Sequence, residues 1–143
     1  MRYIDLKSKH QQEVNDFPMK FAFSESQFAT AMKELGLTKE DKDKVVGISG
    51  GGFIRKSDAK AFAEMFERQS KELNEAIRSD ESGEGFILDM FTYELCNHEY
   101  GITYEEDDAL IALGLSPQSV ADSPSLSNGL RLAKEKAIAS VNF

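Results

Sequence analysis

The side chains with the most chemistry to offer are oxygen donors. Counting from Asp80, they fall at positions one, three and five (Asp80, Ser82, Glu84), with Gly85 sixth and Ile87 eighth. That is the opening of a calcium-binding loop between two helices. Position twelve should be a bidentate Glu and is Phe91, so weak metal binding by Asp80, Ser82 and Glu84 is the metal reading. The competing reading is an acidic loop at a helix N-terminus, favoured by the macrodipole. A second candidate is Gly50-Gly51-Gly52, whose backbone amides could cradle an anion beside Arg55 and Lys56. It lacks the Gly-Lys-Ser/Thr ending of a P-loop and the spacing of a dinucleotide fingerprint, and it also reads as a hairpin turn. The third is the run Glu105-Glu106-Asp107-Asp108. Four acids in a first helical turn complement the dipole. Joined by Asp80, Glu81, Glu84 and Glu99, they form an acidic surface able to occupy a phosphate-binding groove on a partner.

Other chemistry is thinly supplied. Cys96 and His98 are two apart, a spacing that does not share a helix face, and the only other histidine is His10. Zinc needs more such ligands. No nucleophile–base–acid set stands out, and Asp80, Glu81, Glu84 and Asp89 are too local to assign as an acid/base pair. No enzyme activity and no cofactor are expected.

The 143 residues carry 17 Lys and Arg against 25 Asp and Glu, a net charge of −8. That disfavours direct nucleic-acid binding, because phosphates recruit cations. It permits competition with nucleic acid for a basic protein, and it also keeps a protein dispersed. One cysteine excludes an internal disulfide and fits a reducing, cytoplasmic setting. No apolar run approaches a membrane span, and the polar first twelve residues do not read as a signal peptide. Ten Phe, five Met and no Trp suggest a phenylalanine core with methionine filling.

These residues need elements to hold them. Residues 3–15 read as a mostly polar helix stopped by Pro18. Phe17, Met19, Phe21 and Phe23 alternate, giving a short strand with one aromatic face. Ser24 and Gln27 have capping-box spacing for helix 25–35, closed by Gly36. Thr38 caps a short helical turn. Val45, Val46 and Ile48, the three glycines, and Phe53 and Ile54 form the central hairpin, 44–56. Helices are expected over 58–79 and 86–98, from a Thr103/Glu106 capping box to Leu113, and over 124–140. Gly114 repeats the helix-ending joint of Gly36. The expected fold is one α+β domain over 1–143: five or six helices around an antiparallel sheet from 19–23, 44–49 and 53–56.

The strings His10-Gln11-Gln12-Glu13-Val14-Asn15-Asp16-Phe17-Pro18-Met19 and Gly51-Gly52-Phe53-Ile54-Arg55-Lys56-Ser57-Asp58 carry a resemblance. Phe21-Ala22-Phe23-Ser24, Tyr93-Glu94-Leu95 and Asn97-His98-Glu99-Tyr100-Gly101 extend it. Together they resemble a family of small uncharacterised proteins of phages and mobile elements of gut bacteria. The resemblance supplies no catalytic residues. It implies a setting in which small acidic proteins inhibit host defence, as anti-CRISPR and antirestriction proteins do. The expectation is therefore a non-enzymatic binding protein that blocks a host protein with a basic nucleic-acid-binding surface. The alternative is a metal- or anion-binding module at 80–91 or 50–56.

Overall fold

The computed structural model describes residues 1–141. Among them the fold is α+β, with eight α-helices and one three-stranded sheet. In order these are α1 (Tyr3–Asp16), β1 (Met19–Phe21), α2 (Glu25–Glu34), β2 (Val45–Gly47), β3 (Gly52–Arg55) and α3 (Ala59–Arg78). There follow α4 (Phe86–Asn97), α5 (Tyr100–Thr103), α6 (Asp107–Ala112), α7 (Pro117–Ala121) and α8 (Pro124–Ala139). No helix among the described residues is long and apolar enough to cross a membrane. Internal packing groups the chain into two compact units, Gln11–Ser70 and Met1–His10 with Lys71 onward.

The unit 11–70 holds the sheet. Strand β3 is central and pairs antiparallel with β1 (Lys20 opposite Phe53) and with β2 (Val46 opposite Ile54). β1 and β2 are shorter than the sequence suggests, and β3 has the expected length but lies one residue earlier. Between β2 and β3 the chain takes a 3-10 turn over Ser49–Gly51, with φ near 80° at Gly50 and Gly51, so three glycines make a wider corner than a two-residue hairpin. Ala31, Met32, Leu35 and Phe53 form the core of this unit. The alternating aromatic face of β1 is present, but it faces outward. Phe21 and Phe23 are exposed, and their rings lie over the glycine turn. A Cβ at Gly52 would stand 2.6 Å from the Phe21 ring.

The core is consequently not one of phenylalanines. Phe53 and Phe91 are buried, while Phe21, Phe23 and Phe66 are exposed. Leucine, isoleucine, methionine and alanine supply most of the interior. In the other unit α4 lies along α8. Ile87, Met90, Phe91 and Leu95 pack with Leu126, Leu130, Ala133 and Ala137. The small residues Gly129, Ala133 and Ala137 on α8 permit a close approach, and Gly129 lies against Ile87 and Gly83.

Local signals at helix ends hold well. Gly36 and Gly114 take left-handed φ of 77° and 69°. Behind them Leu37 N–H donates to Met32 O and Leu115 N–H to Leu110 O, the same joint twice. Pro117 and Pro124 open α7 and α8 behind the caps Ser116 and Ser123. Two signals fail. Thr38 caps nothing; instead Asp41 accepts from the Thr38 N–H and hydroxyl, and a 3-10 turn follows at Lys42–Lys44. The Thr103/Glu106 capping box does not form either. Thr103 ends α5, its hydroxyl accepts from Glu105 N–H, and the next helix starts only at Asp107. The cause is a pair of left-handed residues, Glu99 (φ 59°) and Tyr104 (φ 58°), bracketing the single turn of α5. A Cβ makes that conformation costly. Glu99→Gly is therefore expected to stabilise the protein by about 1 kcal/mol, read as a rise in the midpoint of thermal unfolding.

Candidate functional site

The acidity is not evenly spread. The unit Gln11–Ser70 has ten acidic residues against nine basic ones, and the remainder of the chain has fifteen against eight. Within that remainder the segment from Glu99 to Ile111 stands out. The α5 turn packs on α8 and buries Tyr100, while Ile102 is 66% exposed, Tyr104 64% and Ile111 73%. Between these apolar side chains lie Glu105, Asp107 and Asp108, all exposed. Together with Glu99 they make no ion pair among the described residues. Glu106 behaves differently. It is partly buried and paired with Lys134 of α8, which also approaches the Tyr100 ring. Its neighbours Ala109 and Leu110 are buried and anchor α6. The acids thus divide into one that fastens the segment and three, with Glu99, that face outward.

The other acidic residues are placed as follows. Glu81 and Glu84 are exposed. Asp80 is used internally. Its Oδ2 accepts from the N–H groups of Gly85 and Ile87, and its Oδ1 from Gly83 N–H and the Ser82 hydroxyl. Burial alone would raise the Asp80 carboxyl, but the Ile87, Gly85 and Gly83 N–H groups and Ser82 outweigh it and hold the carboxyl below its ordinary value. Asp80 is the anchor of the loop that starts α4, and a cation at Asp80, Ser82 and Glu84 would have to displace these donors. A carboxyl lowered on folding stabilises in full above the unfolded pKa of about 3.9 and loses that contribution as pH falls through the folded value. Asp80→Asn is expected to lower the melting temperature at neutral pH and to flatten its decline as pH falls below about 4, measured by calorimetry.

At the glycine turn, Arg55 does not face the amides. Its Nε donates to Asp58 (2.8 Å) and Nη1 to Leu35 O (3.2 Å). Lys56 is exposed. What lies beside Gly50, Gly51 and Gly52 is the pair Phe21 and Phe23. His98 is half-buried and Cys96 exposed.

One group escaped the sequence reading. Glu94 is 1% exposed in the middle of the α4 core face. Its Oε1 accepts from the Tyr3 hydroxyl and from Lys7 Nζ, each at 2.6 Å. Its Oε2 has no hydrogen-bond partner among the described residues and stands 3.4 Å from His98 Nε2. Burial, and next the bond to Glu94, push the Tyr3 hydroxyl above its ordinary value, so it stays a donor. The signal was present: Ile87, Met90, Phe91, Glu94 and Leu95 follow one helical stripe, and a lone carboxylate on such a stripe must find partners.

Residues 2–136 match the model of a family of unknown function, DUF7659. The chain belongs to that family. No curated protein and no solved structure matches it. The DUF7659 match spans both units, including the sheet, the Asp80 loop, Glu94 and the whole of 99–111. The sequence resemblance to an uncharacterised family therefore holds for nearly the entire chain.

Proposed function

We propose that this DUF7659 chain is a non-enzymatic binding protein that presents residues 99–111 to a basic protein surface. The observation that carries the reading is the pattern of exposed side chains there. Three acids without ion pairs lie between Tyr104 and Ile111, with Ile102 just before them, and all three apolar side chains are mostly exposed. Solvated acids alone serve solubility; large apolar side chains held out among them are unfavourable in water and become stabilising when buried at an interface. Carboxylates steer a basic partner and set register, while the tyrosine and isoleucines supply buried area.

The resemblance to small acidic proteins of phages and mobile elements extends this to an anti-defence role. The partner would be a host protein that handles nucleic acid, blocked where it binds phosphates. The test is capture from a bacterial host lysate on immobilised wild type and on Glu105→Lys/Asp107→Lys/Asp108→Lys. Both are run at about 0.1 M and about 1 M salt, where screening lengths are about 10 and 3 Å. Wild type is expected to retain a basic nucleic-acid-handling protein at low salt only, and the variant to lose it. Identical capture by the two proteins would refute the reading.

A further inference from the structure

Lys7 sits in a site built by three other side chains. Its Nζ is 2.6 Å from Glu94 Oε1, 5.0 Å from the Tyr93 ring centroid and 5.8 Å from that of Tyr3. The two tyrosine centroids are 5.6 Å apart with planes inclined at 58°. Two aromatic rings and one carboxylate therefore converge on a single ammonium, the composition by which proteins recognise organic cations. Glu94 is almost wholly buried, with Oε1 turned to the cage and Oε2 standing 3.4 Å from His98 Nε2 one turn along the helix, so a single carboxylate oxygen serves the ammonium. The site opens to solvent. The Lys7 side chain is 37% exposed and Tyr93 is 36% exposed. Beside Tyr93 runs a groove of about 440 Å³ lined also by Arg2, Asp89 and Thr92.

We propose that Tyr3, Tyr93 and Glu94 form an ammonium-binding cage that Lys7 fills in the free protein and that a lysine side chain of a protein partner can enter in its place. The choice of a partner lysine as ligand rests on the reading of a basic partner given above; the cage itself does not. The exchange is like for like. One primary ammonium moves to water as another arrives, so Glu94 never loses its counter-charge, and the main cost is ordering the incoming chain. The 2.6 Å contact with Oε1 needs an N–H donor. A primary alkylammonium satisfies it; a quaternary ammonium, having none, does not.

The test empties the cage and refills it. Lys7→Ala removes three carbons and the ammonium, the outline of n-propylammonium. Thermal unfolding of Lys7→Ala is followed with n-propylammonium chloride, tetramethylammonium chloride and sodium chloride at equal millimolar concentrations. Propylammonium at about ten times its dissociation constant is expected to raise the midpoint by about 3 °C or more. The other two salts should not, and Lys7→Ala/Glu94→Gln should not respond. No propylammonium-specific rise, or a rise that survives Glu94→Gln, overturns the cage. If Lys7→Ala is unfolded without salt, the same titration is read as recovered helical circular dichroism, and no recovery overturns the cage equally. A negative result leaves the 99–111 surface standing, and a failed lysate capture leaves the cage standing.

Discussion

Gly83→Ala is expected to cost about 2–5 kcal/mol, a large fraction of the stability of a domain of this size. Gly83 has φ +82°, a conformation that costs an L-residue about 1–2 kcal/mol. Its new Cβ would stand 2.0 Å from Ser125 O, 3.0 Å from Ser125 C and 3.1 Å from Gly129 N. These are backbone atoms of the first turns of α8, so no side chain can swing aside. The helix itself must shift, and α8 lines the core on α4. Overpacking of this kind costs a further about 1–3 kcal/mol. Asn128, which donates to Ser82 O at 2.9 Å, would lose its partner in the same movement. Urea unfolding measures the effect. A Gly83→Ala midpoint indistinguishable from wild type would mean that the loop and α8 are not in the contact described.

Lys7→Met is the second large effect, expected at about 2–4 kcal/mol. Removing one member of a buried ion pair strands the other. Glu94, at 1% exposure, would keep the Tyr3 hydroxyl on Oε1 and the more distant His98 Nε2, 3.4 Å from Oε2. The partial exposure of Lys7 places the cost in the lower part of the range for buried pairs. The companion experiment separates stranded charge from lost packing. Tyr3→Phe/Lys7→Met/Glu94→Met replaces the whole network with apolar groups of similar size and is expected to return to within about 1 kcal/mol of wild type or above it. Denaturant midpoints of the two proteins decide this. A triple variant as weak as Lys7→Met would assign the cost to packing instead.

Much of the fold was legible because its signals are local. Gly36 and Gly114 ended helices where a left-handed residue was required, and Ser116-Pro117 and Ser123-Pro124 opened them. The three strands could be placed from β-branched and alternating residues, with β1 and β2 overextended and β3 placed one residue late. What failed depended on contacts distant in sequence. The alternation at Phe21 and Phe23 fixed their common face, but not that the face points to solvent over glycines. Thr103 and Glu106 had the spacing of a capping box, yet Glu106 is drawn to Lys134 on another helix and Tyr104 turns left-handed. The outward acids at 105, 107 and 108 were legible as a run; their separation from Glu106 was not. The spacing at Asp80 repeats a ligand pattern but does not show that its oxygens accept from the N–H groups of its own loop. Glu94 went unread although its position among Met90, Phe91 and Leu95 marked it as a buried charge in need of Tyr3 and Lys7 from the far end of the chain.

The charge asymmetry gives the account its direction. Nearly all of the net negative charge lies outside residues 11–70, and the outward acids of 99–111 are its densest part without cations to balance it. On the proposed reading, such a surface would attract a partner's cations at a distance and fill its apolar pockets at contact.

The most direct measurement is DNA cleavage by purified host-defence nucleases, Cas effectors and restriction enzymes, at stoichiometric and excess amounts of this protein. Wild type is expected to inhibit at least one of them, with inhibition relieved by raising salt and by Glu105→Lys/Asp107→Lys/Asp108→Lys. Full activity of every nuclease at excess protein, or inhibition that the charge-reversed variant retains, would contradict the account.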